Sequence, residues 1–284
     1  MTANPAVDIT ELAVLGEQFP LRLMQLGFRL MQVMDESGRD QVRYVVPPIC
    51  AVPTGPFLMG SNKKHDPEAQ DDEVPQHIVQ LPAYSIGTYP LTVAEYACFV
   101  QATQCAVPDA WIRQQRQADH PVVQVSWQDV LAYMQWLAQV TGEPWRLPTE
   151  AEWEKAARGT DGRIYPWGDE WDSTRANTWD RARANEDRGP LLTTPVGSYP
   201  SGASPSGVQD LAGNVNEWTS TTYQMYPYQA HDGREDLNPE TDKVLRGGGW
   251  GGLSWHVRAA FRYSEPSYTD FEVGVRLVRG SVEG

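Results

Sequence analysis

Cysteine is scarce in this chain of 284 residues: it has three, Cys50, Cys98 and Cys105, and none beyond them. Three unevenly spaced thiols exclude a disulfide framework and a four-cysteine zinc site. Positive charge is also in short supply, since 23 Lys+Arg face 37 Asp+Glu for a formal net charge of −14. Phosphate backbones are gripped by clustered Lys and Arg that release counterions, so no nucleic-acid partner is expected. Long apolar runs are missing too. The best, Leu21 to Met34, is broken by Arg22, Gln25, Arg29 and Gln32, well short of the ~20 apolar residues a membrane helix needs. No membrane partner is expected. The N-terminus carries Asp8, Glu11 and Glu17 in place of the basic start of a secretory signal, so the expected location is cytoplasmic. Phenylalanine is rare at 6, against 11 Trp, 24 Gly and 22 Pro. Such a chain is ordered by large flat anchors and turns, with few long aliphatic helices.

Residues 1–46 differ from the rest of the chain, having no Trp and little Pro. Arg29 to Met34 and Gln41 to Val46 suit strands, and "DESGRD" between them supplies Ser37 and Gly38 for a turn. A leading hairpin or cap is expected here, with the body of the fold occupying residues 47–280. Three helix starts carry one signature, a capping hydroxyl followed three residues later by an acid: Thr92 with Glu95, Ser126 with Asp129, and Thr149 with Glu152. The second helix continues through Val130, Tyr133, Met134, Leu137 and Val140 at steps of three and four, and Gly142 stops it. The third runs from Glu150 to Arg158, stops at Gly159, and turns Trp153, Ala156 and Ala157 inward. Beyond Gly159 no helical period persists. Seven of the 11 Trp lie from Trp153 onward, and disordered segments are poor in aromatics, so the second half is folded but irregular.

The segments "GPFLMGS" (55–61), "HPVVQVSWQDVLAYMQWL" (120–137), "RLPTEAEWEKAARG" (146–159), "YPWGD" (165–169), "DLAGNVNEW" (210–218) and "LRGGGW" (245–250) follow one another in a fixed order. Together they resemble the formylglycine-generating enzyme family, also called the sulfatase-modifying factor family, over residues 47 to 279. The resemblance implies an α+β fold related to C-type lectins, with little regular secondary structure, a few short helices and small antiparallel sheets. It also implies, for the oxidases of the family, a cysteine pair near the C-terminus that binds copper. Thiolate is the soft ligand that selects Cu(I). Here Ala259 falls at one cysteine position and Ser254 at the other, and no sulfur of cysteine follows Cys105, so no copper is expected.

The same resemblance implies structural calcium. Asp210, Gly213, Val215 and Glu217 fall on one ligand set, and oxygen-only loops of this kind suit calcium's six to eight ligands. Asn177, the Thr178 carbonyl and Asp187 fall on a second, where Glu186 is an alternative to Asp187. The other readings are a turn capped by Asp210 and Glu217, and a solvated acidic loop. The acids Asp66, Glu68, Asp71, Asp72 and Glu73 read as a solvated run. His65, His77, His120, His231 and His256 have no metal-ligand spacing.

Between Gly251 and Glu272 lie Leu253, Trp255, His256, Phe261, Tyr263, Tyr268 and Phe271. Large adaptable aromatics are enriched where proteins bind proteins. The surrounding framework also resembles the variable proteins of diversity-generating retroelements, in which this stretch forms a ligand face. For Trp255 and Phe261 a core position is equally open. Function therefore reads first as a non-catalytic module binding a protein or peptide. The alternatives are a metal-dependent oxidase of different chemistry on the same scaffold, and docking through residues 1–46.

Overall fold

The computed structural model describes residues 7–9, 11–12, 17–34, 41–184, 192–238, 240–265 and 272–280. The chain begins with β1 (Val7–Ile9), β2 (Glu11–Leu12), β3 (Glu17–Gln18), α1 (Leu21–Gln25), β4 (Arg29–Met34) and β5 (Gln41–Val46). Next come β6 (Ile49–Val52), β7 (Gly55–Met59), β8 (His77–Leu81), β9 (Tyr84–Gly87), α2 (Val93–Thr103) and α3 (Trp111–Gln114). They are followed by α4 (Trp127–Thr141), β10 (Trp145–Arg146), α5 (Glu150–Arg158) and α6 (Trp179–Ala184). The last strands are β11 (Asn216–Thr222), β12 (Lys243–Arg246), β13 (Tyr263–Glu265), β14 (Val273–Val275) and β15 (Val278–Arg279).

All three capping boxes form, at Thr92 with Glu95, Ser126 with Asp129 and Thr149 with Glu152. Gly142 ends α4 in the left-handed region at φ 70°. The hairpin is present as well: β4 pairs antiparallel with β5 from Arg29↔Val46 to Met34↔Gln41, while its turn at 35–40 lies outside the described residues. Leu30, Tyr44 and Val45 of this hairpin join the same apolar cluster as Phe99, Trp127, Tyr133 and Trp218. One apolar cluster thus runs from this hairpin into the residues that follow it.

Two four-stranded sheets organise the rest, in the orders β10-β15-β9-β6 and β13-β12-β11-β14. α5 packs against β7, β11 and β12 and is buried along its whole length, charged residues included. Its Trp153, Ala156 and Ala157 turn inward into one apolar cluster. Among the described residues no helix is long and apolar enough to cross a membrane.

The first capping box carries a charge problem. Glu95 is 2% exposed and its Oε2 accepts from Thr92 N at 2.6 Å and Thr92 Oγ1 at 2.7 Å. Burial nevertheless pushes its carboxyl up from 4.5 to about 7, against the pull of those two hydrogen bonds. A carboxyl whose folded pKa is raised holds its proton longer in the native state, so stability falls as pH climbs from 4.5 towards 7. Glu95→Gln keeps the cap but cannot ionise. Between pH 5 and pH 8 the wild type should lose stability relative to this variant by on the order of 2–3 kcal/mol, read from urea midpoints. A constant difference across that range would refute the assignment.

Candidate ligand face and the arginine pins behind it

Four arginines of the C-terminal segments are buried, and each is clasped by a carboxylate from far away in sequence. Arg246, from β12, donates to Glu154 of α5. Arg262 meets Glu150 through Nε at 2.6 Å and Nη2 at 2.9 Å. Arg276 forks onto Glu217 with Nη2 at 2.8 Å and Nε at 3.0 Å. Arg258 forks onto Glu73 at 2.7 and 2.6 Å, and its Nη1 also reaches Asp66 Oδ2 at 2.6 Å. Planar guanidinium matches carboxylate in this two-point way, which fixes direction as well as charge. Burial works against the charge on Glu154, yet Arg246 and Arg158 outweigh it and hold its carboxyl below the usual range.

The acidic run therefore divides. Glu68 and Asp71 are exposed, as a solvated loop requires, but Asp66 and Glu73 are buried at 5% and 0% exposure. Their partner Arg258 lies some 190 positions away in the chain, so no local pattern marks them.

The pinned segment presents its other side outward. Ser254–Val257 forms a 3-10 turn. Leu253, Trp255, His256 and Phe261 are half-buried, and Tyr263 at the start of the edge strand β13 is 47% exposed. Trp255 stacks on His256 with ring centroids 3.5 Å apart, and Phe261 stands edge-on to both at 5.6 and 5.4 Å. His256 Nδ1 accepts from Leu253 N at 3.0 Å. Burial, with Arg258 beside it, lowers the His256 pKa against the opposing pull of Asp180. It is the neutral ring that stacks. Arg258 Nε donates to Trp255 O at 3.0 Å, so the pin sets the turn directly.

Beneath the turn the volume is filled. Val257, Arg258 and Ala259 are all fully buried. Ser254 donates its backbone N–H to Asp180 Oδ2 at 2.7 Å. Tyr268 and Phe271 lie outside the described residues. One member of the surface has no counterpart among the residues expected from sequence: Trp179, the first residue of α6, is 42% exposed and donates its N–H to Gly252 O at 3.0 Å. Its only signal was an indole among charged residues in "TWDRAR".

The two implied cation loops touch each other. Asn177 and Gly213 form an isolated parallel bridge, and a side chain at Gly213, where φ is +77°, would begin 2.2 Å from Asn177 O. Asn214 Oδ1 accepts from Asn177 Nδ2 at 3.1 Å and Thr194 N at 2.9 Å. Asp210 Oδ2 accepts from Gly197 N at 2.7 Å, but its Oδ1 is buried without a partner among the described residues. Burial raises the Asp210 carboxyl to about 6, with Glu217 adding to the rise against the Gly197 bond and Arg276. The unpartnered Asp210 Oδ1, buried beside the Glu217 carboxylate, fits a cation. Glu217 already receives Arg276 and, at 2.6 Å, Trp153 Nε1, so a cation would share that carboxylate. Thr178 is buried and Asp187 lies outside the described residues. Among the described residues no three His, Cys, Asp or Glu side chains converge as a metal site, so backbone carbonyls would have to supply the remaining ligands.

The glycine run "RGGGW" lets β12 leave past this turn. A side chain at Gly248, φ +69°, would begin 2.8 Å from Val257 Cγ1. Residues 34–281 match the sulfatase-modifying factor enzyme 1-like domain. The chain belongs to this family.

Within the family, the chain is 34% identical to the formylglycine-generating enzyme of Streptomyces coelicolor over 271 residues, covering 75% of the chain and 79% of that protein. It is 32% identical to the hercynine oxygenase of Mycolicibacterium thermoresistibile over 264 residues, covering 78% of the chain but 56% of that protein. The inactive C-alpha-formylglycine-generating enzyme 2 of Mus musculus is 30% identical over 251 residues, with 72% and 74% covered. The chain thus spans a little over half the length of the hercynine oxygenase. Among solved structures, PvdO from Pseudomonas aeruginosa superposes with a TM-score of 0.71 at 28% identity, over 83% of the chain and 95% of that structure. Treponema denticola variable protein 1 superposes at 0.64 with 19% identity, over 84% and 96%, a likeness of fold alone. The fold is the formylglycine-generating-enzyme-like and C-type-lectin-like one that the motifs implied.

Proposed function

We propose that this family member is a non-catalytic recognition module that binds a protein or peptide through Leu253, Trp255, His256, Phe261 and Tyr263, with Trp179 alongside. The observation that carries the reading is the Trp255–His256–Phe261 cluster, half-buried and backed by a filled interior. Rigid aromatic surface held in place before binding loses little entropy on contact. The positions at which the family resemblance implies copper-binding thiols hold Ser254 and a buried Ala259. Calcium, in this reading, is structural: Asp210, Gly213, Val215 and Glu217 would hold it, and Asn177 and Thr178 abut that loop.

A second reading, an oxidase of different chemistry, draws on the hercynine oxygenase relatives. It calls for an enclosed polar pocket beneath Ser254, His256 and Arg258. There Arg258 is spent on Glu73 and Asp66.

The test has two arms. Elemental analysis of the purified chain should find calcium and no copper, and cysteine peptides in air should consume no oxygen. Peptides selected from a random display library on the wild type should bind the Trp255→Ala, Tyr263→Ala variant at least ten-fold more weakly, with Tm little changed. Oxygen uptake, or undiminished binding by that variant, would overturn the proposal.

A further inference from the structure

Outside the residues of the aromatic face lies a cleft with no part so far in the recognition surface. Its volume is about 630 Å³, and its walls include Trp167 and Trp171 with Asp169, Glu170, Asp172 and Arg175. We propose that this cleft is a second subsite of the same surface and receives an arginine side chain of the bound peptide. The proposal rests on the peptide reading for its ligand, while the cleft can be tested alone.

The indoles are set before any ligand arrives. Trp167 Nε1 donates to Glu170 O at 3.0 Å, and one face of its ring is stacked on Tyr165 at 5.3 Å and 7°. Trp171 leans on Trp167 at 5.9 Å and 44°. Both rings are half-buried, so each keeps part of its surface open.

The charge in the loop is negative after internal pairing. Arg163 is held by Asp161 at 2.6 Å and Arg175 by Asp172 at 2.9 Å, which neutralises both arginines. Asp169 and Glu170 remain. Asp169 Oδ1 accepts from Ile164 N at 3.1 Å and its Oδ2 lies 3.3 Å from His65 Nε2. The exposed Glu170 carboxylate has no ion-pair partner among the described residues. Anionic ligands are therefore disfavoured, and a cation is favoured by carboxylate and indole together. Guanidinium suits both, since its flat face stacks on Trp while its edge donates to oxygen; a compact, strongly hydrated ammonium stacks less well.

The cleft adjoins the face: Trp179 follows Arg175 of the cleft wall by four residues, Ala259 N donates to Ile164 O at 2.7 Å, and Val257, buried beneath the turn, shares an apolar cluster with Tyr165, Trp167 and Trp171.

The experiment titrates ¹⁵N-labelled protein with N-acetyl-arginine amide and follows indole N–H resonances, with Trp171→Phe identifying that of Trp171. Saturable shifts at Trp167 and Trp171 are expected, at least three-fold weaker with the lysine analogue. Glu170→Lys, an exposed charge reversal that leaves the packing intact, should weaken arginine at least ten-fold, whereas Tyr263→Ala should not. No shift at either indole, or undiminished binding by Glu170→Lys, overturns the subsite. If arginine binds as expected while the aromatic-face variant keeps its selected peptides, the peptide reading fails and the cleft stands.

Discussion

Arg258→Met is expected to cost about 3–5 kcal/mol, because among the described residues it is the one ion-pair partner of two buried carboxylates, and its loss leaves their charge uncompensated. The loss comes from the broken pair and not from the pair's net worth: replacing both sides of a buried ion pair with apolar groups is often neutral. The deficit is read from urea unfolding at pH 8. The side chain also reaches Trp255 O, so the resonances of the aromatic turn should shift as well. A variant within 1 kcal/mol of wild type at pH 8 would mean that Asp66 and Glu73 reach water in solution.

Gly213→Ala should be nearly as damaging for a different reason. The left-handed backbone there costs an L-residue about 1–2 kcal/mol, and the new methyl would start 2.2 Å from a backbone carbonyl that cannot swing aside. Overpacking of this kind adds about 1–3 kcal/mol, for a total near 3 kcal/mol or more. Gly142→Ala is the control. It shares the positive φ, +70°, but has nothing within 4 Å, so it should show the backbone penalty alone, about 1 kcal/mol. Equal losses at the two sites would show that the Asn177–Gly213 contact is loose.

The local chemistry of this fold was legible before the structure. Thr92, Ser126 and Thr149 announce helices because a hydroxyl and an acid three residues apart can satisfy each other's end of the first turn. Arg29–Met34 and Gln41–Val46 read as a hairpin for similar near-neighbour reasons. The same logic misled for the acidic run, since clustered carboxylates are normally solvated. What buries Asp66 and Glu73 is Arg258, and nothing in the surrounding residues encodes that meeting. The aromatic face was half legible: composition singled out Trp255, His256 and Phe261, yet it could not say that they pack on one another in front of a closed interior. Trp179 was missed because its contribution depends on Gly252 lying against the start of α6.

The arginine pins also constrain how the chain can be made. Glu73, Glu150 and Glu217 all precede Arg246, and their arginine partners all lie at or beyond it. During synthesis these acids leave the ribosome before any of their counter-charges exist. The central helix then cannot be sealed from water, since closing it would bury bare carboxylates. Completion must await the final segment, so the sealing of the interior and the display of the aromatic surface are one event, and a chain cut short before Arg246 would show neither.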